Sequence, residues 1–420
     1  MRPLLAILVY ALLASAHAAP SVALSLQECY RRALSHVESI AMQGADIQAA
    51  EGRYRQARGE MLPQITARAS EFLQDTSGLN AADSAFSSSF TRQSRPEVAL
   101  NLTQPLFRGL REFHALAASR AERTKYEQLY ARAQQLLFLD VADAYLSVIA
   151  HEDDLAVLRS QRNVLQERIT ELAHRVTLGQ SRTSEIAATE AQLRMLDGDM
   201  ARIEGLQNVA RSTLGFLTGV DTAHPLQTPP QPTVAPLETY VAQAYHRPDV
   251  IAATQDHLLA GAQQKATSSE LLPEVYLETN YYPYRVGYQQ ESDWDVRFTL
   301  EVPIFRGGIT RGRVQEAKAK LRRAALAQAE QGRRAVQEVR EEYDTFRAAQ
   351  REAVALQRAA RAAHDAYALQ RVEYQHGLVS NLEVLQALRD YYEMKRRATA
   401  TTVATTRHAY DVMVAAGTLP

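Results

Sequence analysis

The chain has 420 residues, of which 47 are lysine or arginine and 48 are aspartate or glutamate, giving a formal net charge of −1. This balance leaves no basic surface for nucleic acid, which is excluded as a partner. The single cysteine, Cys29, excludes an intrachain disulfide, so packing has to stabilise the fold.

Residues 1–18 predict a secretory signal peptide. Arg2 supplies the positive charge, residues 4–13 the apolar stretch, and the small residues around Ala18 the cleavage site. The apolar stretch is too short to span a bilayer as a helix. No later stretch approaches roughly 20 uninterrupted apolar residues, so any membrane crossing has to be made by strands.

A set of short motifs occurs twice along the rest of the chain. From Gln104 in the first copy and Val302 in the second, the matching positions keep one constant spacing. A period this long predicts the duplication of a whole architectural unit and not a short solenoid repeat. The pairs are Leu62-Pro63-Gln64-Ile65 with Leu272-Pro273-Glu274-Val275, Gln104-Pro105-Leu106-Phe107-Arg108-Gly109 with Val302-Pro303-Ile304-Phe305-Arg306-Gly307, Leu178-Gly179 with His376-Gly377, and Glu185-Ile186 with Glu383-Val384.

We predict residues 19–220 as the first structural repeat and residues 237–420 as the second. The segment between them, residues 221–236, carries five prolines and no hydrophobic period, which predicts an extended linker. Each repeat is expected to contain a helix, two strands and a long helical hairpin. The helices are expected over 26–61 and 237–271, the strands within 63–105 and 273–303, and the hairpins over 108–218 and 308–416.

Apolar residues at alternating steps of three and four predict that each long hairpin is an antiparallel coiled coil. Gly179 and Gly377 supply the turns. Residues 109–177 contain no proline, and as one helix they would extend roughly 100 Å at about 1.5 Å per residue. The seam includes Leu155, Leu158, Leu165 and Leu172, then Leu193, Leu196, Ile203 and Leu214, and in the second copy Val339, Phe346, Leu356 and Tyr374.

Residues 294–302 alternate between apolar and polar side chains, which predicts a strand with two different faces. A half-buried sheet in a soluble protein would show the same alternation in any one strand. In a membrane barrel, Trp294, Val296, Phe298 and Leu300 would face lipid, and Asp295, Arg297, Thr299 and Glu301 would line the lumen. An interfacial aromatic belt is expected from Tyr281, Tyr282, Tyr284, Tyr288 and Trp294.

The predicted strands number only four in each chain. A four-stranded sheet cannot close on itself, and lipid tolerates no open strand edge. A membrane barrel would therefore have to be completed by other copies of the chain, which predicts an oligomer. Residues 74–95 are rich in small and polar residues and are expected to form a mobile external loop.

The Leu-Pro strand entries, the Pro-[Leu/Ile]-Phe-Arg-Gly strand exits and Arg247-Pro248-Asp249 together resemble the TolC-like outer-membrane efflux family. The resemblance covers essentially the whole mature chain. It implies a mainly α fold with a membrane β-barrel portion, in which a homotrimer closes a 12-stranded barrel above a barrel of coiled-coil α-hairpins. It also implies a passive exit duct in the outer membrane, which serves a tripartite efflux or type I secretion system together with a periplasmic adaptor and an inner-membrane pump.

By the same resemblance, both hairpin turns would be periplasmic tips that contact the adaptor, through Leu178, Gly179, Gly377 and Leu378. The family commonly carries acidic residues beyond the second tip, where they form a cation-attracting ring. Here Glu383 takes the first position, and an amide, Gln386, stands where a second acid is often found. Asp390 continues this polar stripe of the helix. Glu185 is the equivalent of Glu383 in the first copy.

The sequence offers no candidate catalytic, cofactor-binding or metal-binding residues. The glycines of residues 307–312 lack the Lys-Ser/Thr ending of a phosphate-binding loop, and no cysteine and histidine cluster has metal-ligand spacing. We therefore expect a protein that is not an enzyme and takes its energy for transport from a partner.

Two other classes of protein share parts of this pattern. A secreted trimeric coiled-coil structural or adhesion protein would have the same helices, with the strands packed in water, and it would be absent from the outer membrane. A periplasmic adaptor also has long helical hairpins, but it needs compact β-rich domains beside them, for which this chain has no room.

Overall fold

A computed structural model describes residues 23–75, 92–220, 224–287 and 289–419 of the chain. The predicted signal peptide, Tyr288 of the aromatic belt and most of the predicted external loop lie outside the described residues. The chain divides into two compact units, and each unit draws on both halves of the sequence. The helical unit comprises Met1–Met42, Ala131–Arg247 and Arg334–Pro420; the sheet unit comprises Gln43–Tyr130 and Pro248–Arg333.

Eight α-helices account for most of the described residues. Two of them have 67 residues each and are the first arms of the long hairpins. In chain order the helices are α1 (Leu26–His36), α2 (Glu38–Gly59), α3 (Arg111–Thr177), α4 (Thr183–Thr218), α5 (Leu237–Ala244), α6 (Pro248–Ser268), α7 (Ile309–Gln375) and α8 (Asn381–Ala415), with a 3₁₀ turn at Ser269–Leu271 after α6.

The single helices expected over 26–61 and 237–271 are wrong, because each is interrupted. Val37 is extended, with φ −78° and ψ 121°, and its N–H caps α1 by donating to the carbonyl of Ala33. The second interruption precedes Pro248, which has no N–H to donate and disfavours a helical conformation at the residue before it. Bonds of the 3₁₀ type close α5 at this point, including Arg247 N to Ala244 O at 3.3 Å.

The predicted heptad seam is confirmed by burial in the helical unit. Leucines of α3, α4 and α8 form one apolar cluster, so three helices of this unit share a core. Complete burial of one such side chain contributes roughly 1.5–3 kcal/mol. The most apolar 18-residue stretch of α3 would be long enough to cross a membrane, but 56% of it is buried within the protein, as expected for a core helix. The cluster contains Leu155, Val157, Leu158, Leu165, Leu193, Leu196, Ile203, Leu385, Leu388 and Tyr392.

The four predicted strands form one antiparallel sheet in the order β1-β2-β3-β4. Pairing of β2 with β3 joins the hairpins of the two repeats. The second strand runs further than expected and continues through Pro105, where a register shift accommodates the missing N–H. Because β1 and β4 are the outer strands of this order, each has one partner among the described strands. The bounds are β1 (Gln64–Leu73), β2 (Ser94–Arg108), β3 (Glu274–Arg285) and β4 (Trp294–Glu301).

Candidate functional site: the hairpin tips and the sheet

The two hairpin tips have the same backbone geometry. Gly179 and Gly377 are both left-handed, with φ of 71° and 75°. At the first tip, Gln180 N donates to Arg175 O at 2.9 Å and Gly179 N to Val176 O at 3.0 Å. The second tip repeats both bonds at the equivalent positions, as the Schellman motif requires. The duplication seen in the sequence therefore extends to individual hydrogen bonds.

The residues expected to contact an adaptor lie at these turns. Leu178 is 57% exposed and Leu378 is 74% exposed. A Cβ atom added at either tip glycine would have no atom within 4 Å, so the turns are open to solvent in this chain. Each tip thus presents one large apolar side chain beside a glycine, which is a surface that a helical partner could cover.

Glu383 begins the second arm of the second hairpin with a capping box. Its carboxylate accepts hydrogen bonds from Ser380 N at 2.7 Å and from Ser380 Oγ at 2.8 Å. These bonds favour the charged form and hold the pKa of Glu383 below its ordinary value. The side chain is exposed, so its negative charge faces solvent.

The rest of the predicted stripe lies on the same exposed side of α8. Gln386 and Asp390 are both exposed, and the Gln386 amide donates to Asp390 Oδ1 at 2.8 Å. The stripe therefore carries two negative charges with an amide between them.

Glu185 differs from Glu383 in its contacts, although the two are equivalent in sequence. Its carboxylate accepts from Ser181 Oγ at 2.5 Å and from the Tyr374 hydroxyl at 2.9 Å. Tyr374 belongs to α7, so this bond ties the start of α4 to the other hairpin. Glu185 is half-buried and hydrogen-bonded to another helix, whereas Glu383 is exposed and its carboxylate accepts from the neighbouring Ser380.

A buried arginine that the sequence analysis missed lies behind the tips. Arg168 is 6% exposed and donates to Asn381 Oδ1 through Nε and Nη2, at 3.1 and 3.0 Å. Its guanidinium also lies 4.0 Å from the ring centroid of Tyr374 and forms a salt bridge with Glu171 at 2.8 Å. One charged side chain of α3 thereby contacts both α7 and α8, and nothing in its local sequence indicates the partners.

The polar face of the sheet is hydrogen-bonded across three strands. Asp295 on β4 accepts from Asn280 Nδ2 and from the Tyr282 hydroxyl, both at 2.8 Å. Asn280 in turn accepts a short hydrogen bond from Asn101 on β2. The strand register places these three side chains opposite one another.

The other predicted lumen residues lie on the same face of β4, but their contacts are weaker. Arg297 is 3.9 Å from Glu278 across the strand pair, with both side chains largely exposed. Thr299 lies opposite Tyr276, and Glu301 lies opposite Glu274.

The opposite face of β4 is apolar and uncovered. The four side chains predicted to face lipid alternate with the polar ones and are all exposed in the isolated chain. The exposed fractions are 66% for Trp294, 44% for Val296, 71% for Phe298 and 66% for Leu300. Four large apolar side chains on one strand face require a cover that the described part of one chain does not supply.

The comparison with known families decides where this architecture belongs. The family model described as "Outer membrane efflux protein" matches residues 29–220 and 241–417. The chain belongs to the outer membrane efflux protein family. As a member, it is an efflux channel of the outer membrane, and the family consists of channels rather than enzymes.

Individual relatives of this outer membrane efflux protein align over nearly its whole length. The chain is 22% identical to the outer membrane protein TolC of Salmonella enteritidis, with 100% of this chain and 87% of TolC covered. It is 25% identical to protein CyaE of Bordetella pertussis, with 94% and 84% covered. The outer membrane protein VceC of Vibrio cholerae superposes with a TM-score of 0.82 at 18% identity, covering 94% of this chain and 96% of VceC, which supports the fold.

Proposed function

We propose that three copies of the chain close their sheets into one 12-stranded barrel in the outer membrane. The single observation that carries this proposal is a sheet with two open edges, one apolar exposed face and one hydrogen-bonded polar face. Because lipid leaves no unpaired strand edge, β1 of one copy would pair with β4 of the next. The apolar side chains of β4 would then contact acyl chains, and Asp295, Arg297, Thr299 and Glu301 would line a wet lumen.

The helical hairpins would form the periplasmic part of this duct. The proposed adaptor contacts are Leu178, Gly179, Gly377 and Leu378, supported by the exposure of both leucines at open turns. An inner-membrane pump would supply the energy. The gate would comprise Glu185, Glu383, Gln386 and Asp390, with Glu383 as the exposed charge and Glu185 as a tie between hairpins. Opening would require the tip hairpins to untwist.

The two structural repeats, residues 19–220 and 237–420, would be copies of one ancestral unit on either side of the linker 221–236. The matching hydrogen bonds at the two tips support this proposal. The rival class, a secreted coiled-coil structural protein, shares the hairpins but places the apolar face of the sheet against protein or water.

Labelling of engineered cysteines on β4 tests the proposal. Thr299→Cys should react with a charged, water-soluble maleimide in intact outer membranes, because a lumen position is wet. Phe298→Cys should stay unlabelled there, because lipid excludes a charged reagent, and should react after detergent denaturation. Equal labelling of both positions in the membrane would contradict the barrel.

The chain's own cysteine does not interfere with labelling in the intact membrane, and after denaturation the Phe298→Cys signal is measured as a second label above the single Cys29 label of the wild type. Cys29 is 1% exposed, and burial raises the pKa of its thiol to about 11. Since the thiolate is the reactive form, Cys29 should stay unlabelled at neutral pH and serve as the background control.

A further inference from the structure

Three metal-ligating side chains meet in the helical unit, away from the tips. Glu342 on α7 and His408 and Asp411 on α8 offer ligand atoms that all lie within 4.8 Å of one another. The histidine and aspartate are three residues apart, so they share one face of α8. Sequence analysis missed the group because the third ligand comes from another helix.

In the tautomer of neutral His408 that carries its proton on Nε2, the three side chains present only acceptor atoms to one another. Ionised carboxylates only accept hydrogen bonds, and the unprotonated Nδ1 of that tautomer accepts as well. His408 Nδ1 is shielded from solvent and makes no hydrogen bond, although Asp411 Oδ2 is 3.3 Å away as an ion-pair neighbour. The nearby Arg407 is paired with Asp143 on α3 at 2.6 Å. No lysine or arginine forms a salt bridge with Glu342 in the described part of the chain.

The geometry of the site favours an added positive charge. Glu342, His408 and Asp411 are all half-buried, so two carboxylates lie close together with part of their hydration removed. A cation placed between these carboxylates would offset their repulsion and the lost hydration.

We propose that Glu342, His408 and Asp411 bind a first-row divalent cation, with Zn²⁺ as the best fit. One imidazole with two carboxylates is a donor set that suits zinc, and three protein ligands leave a fourth position for water. Zinc bonds of about 2.0–2.1 Å in a tetrahedron separate neighbouring ligand atoms by about 3.3 Å, which is the separation of the His408 and Asp411 atoms. Glu342 reaches the ion by a side-chain rotation, and the bound cation links α7 to α8.

All three ligands belong to one chain, so the site does not depend on the proposed barrel. Facing helices in bundles commonly build metal sites from an i, i+3 pair on one helix and a carboxylate on another. The arrangement here follows that pattern.

Zinc binding by the full chain tests this proposal. The protein is purified in detergent without a histidine tag, stripped with EDTA and titrated with Zn²⁺ in competition with a chromogenic chelator. We expect one Zn²⁺ per chain, and Asp411→Asn or His408→Gln should raise the dissociation constant at least about tenfold. Wild-type protein that binds no stoichiometric Zn²⁺, or both variants binding as wild type does, would overturn the site.

A matched control is available on α7. His364 Nδ1 lies 3.4 Å from Asp365, but both side chains are largely exposed and this pair is not part of the three-ligand cluster. His364→Gln should therefore leave the affinity for Zn²⁺ unchanged. X-ray absorption at the zinc edge should show one nitrogen and two carboxylate ligands in the wild type, and an all-oxygen spectrum would also overturn the proposal. Because Asn and Gln keep the shapes of Asp and Glu, Glu342→Gln serves as a third variant if His408→Gln does not assemble.

Discussion

At the residue scale, the charge of Glu383 can be separated from its capping role. Glu383→Gln removes the charge, while the amide oxygen can still accept from Ser380 N. We expect this variant to lower the cation selectivity of single channels, and Glu383→Ala to lower it as well. The difference in cation selectivity between the wild type and either variant should shrink at high salt, since the Debye length falls from about 10 Å at 0.1 M to about 3 Å at 1 M. Reversal potentials in a salt gradient across a planar bilayer measure the cation selectivity.

The pKa of the Glu383 carboxylate determines the pH range over which its charge and its helix cap persist. Its folded pKa lies below the ordinary value of 4.5, so the cap contribution is present above that value and is lost as pH falls through the lowered pKa. Cation selectivity at pH 5 should therefore match that at pH 7. Gln386→Ala, a neutral change in the same stripe, should leave selectivity unaltered. If Glu383→Gln keeps the cation selectivity of the wild type, Glu383 is not part of the gate.

Tyr374 provides a second prediction at this scale. Tyr374→Phe deletes the hydroxyl that donates to Glu185 at 2.9 Å and keeps the ring over which Arg168 lies. A hydrogen bond to a charged group contributes about 1.5–3 kcal/mol, and this one restrains α7 against α4. We expect a higher open probability in single-channel recordings.

The control for Tyr374 lies on the same face of α7. Tyr367→Phe also removes a hydroxyl, but the neighbour of that hydroxyl is Arg371 of the same helix. It should leave the open probability near that of the wild type. Equal effects of the two variants would show that the bond to Glu185 does not restrain opening.

The sequence alone predicts the contact of Glu383 but not those of Tyr374 and Arg168. Glu383 follows Ser380 by three residues, which is a local capping pattern that the sequence displays directly. The bond from Tyr374 to Glu185 and the contacts of Arg168 with Asn381 join segments far apart in the chain. No local pattern encodes such pairs, so they emerged only from the packing of the helices.

At the element scale, the tip turn depends on one glycine. Gly377 has φ 75° with no atom within 4 Å of an added Cβ, so Gly377→Ala would cause backbone strain without a clash. We expect a destabilisation of about 1–2 kcal/mol per chain. The midpoint of thermal unfolding, followed by helical circular dichroism, should fall.

A glycine inside α7 provides the matched control. Gly332 is helical and also has no atom within 4 Å of an added Cβ. Gly332→Ala should stabilise the helix by roughly 0.5–1 kcal/mol, because alanine loses less backbone entropy. Midpoints that move in the same direction for the two variants would contradict the left-handed turn.

The periodicity of the sequence predicts which segments are helices and which are strands. It does not predict where the helices are interrupted. Pro248 is a visible cue for the end of α5, since it restricts the residue before it. The break at Val37 has only a weak cue in a β-branched residue, whose extended backbone caps α1 through the bond from Val37 N to Ala33 O. Strand β2 passes through Pro105 because a register shift tolerates the missing donor.

At the scale of the whole molecule, the strand count supports the proposal that more than one chain closes the barrel. Four strands in the order β1-β2-β3-β4 leave β1 and β4 with one partner each among the described strands. The exposed apolar face of β4 adds surface that water would disfavour. Alternation and strand number were visible in the sequence, while the register that aligns Asn101, Asn280 and Asp295 was not, because it depends on how the two hairpins meet.

The native mass of the protein, extracted in detergent from separated inner and outer membranes, tests the central claim most directly. After correction for bound detergent, we predict a particle of three mature chains in the outer-membrane fraction, because three sheets of four strands would close the proposed barrel. Dissociation of that particle should require denaturing conditions, since its subunits would share strand pairs. A monomer or a water-soluble species would contradict the shared barrel and favour the coiled-coil structural protein instead.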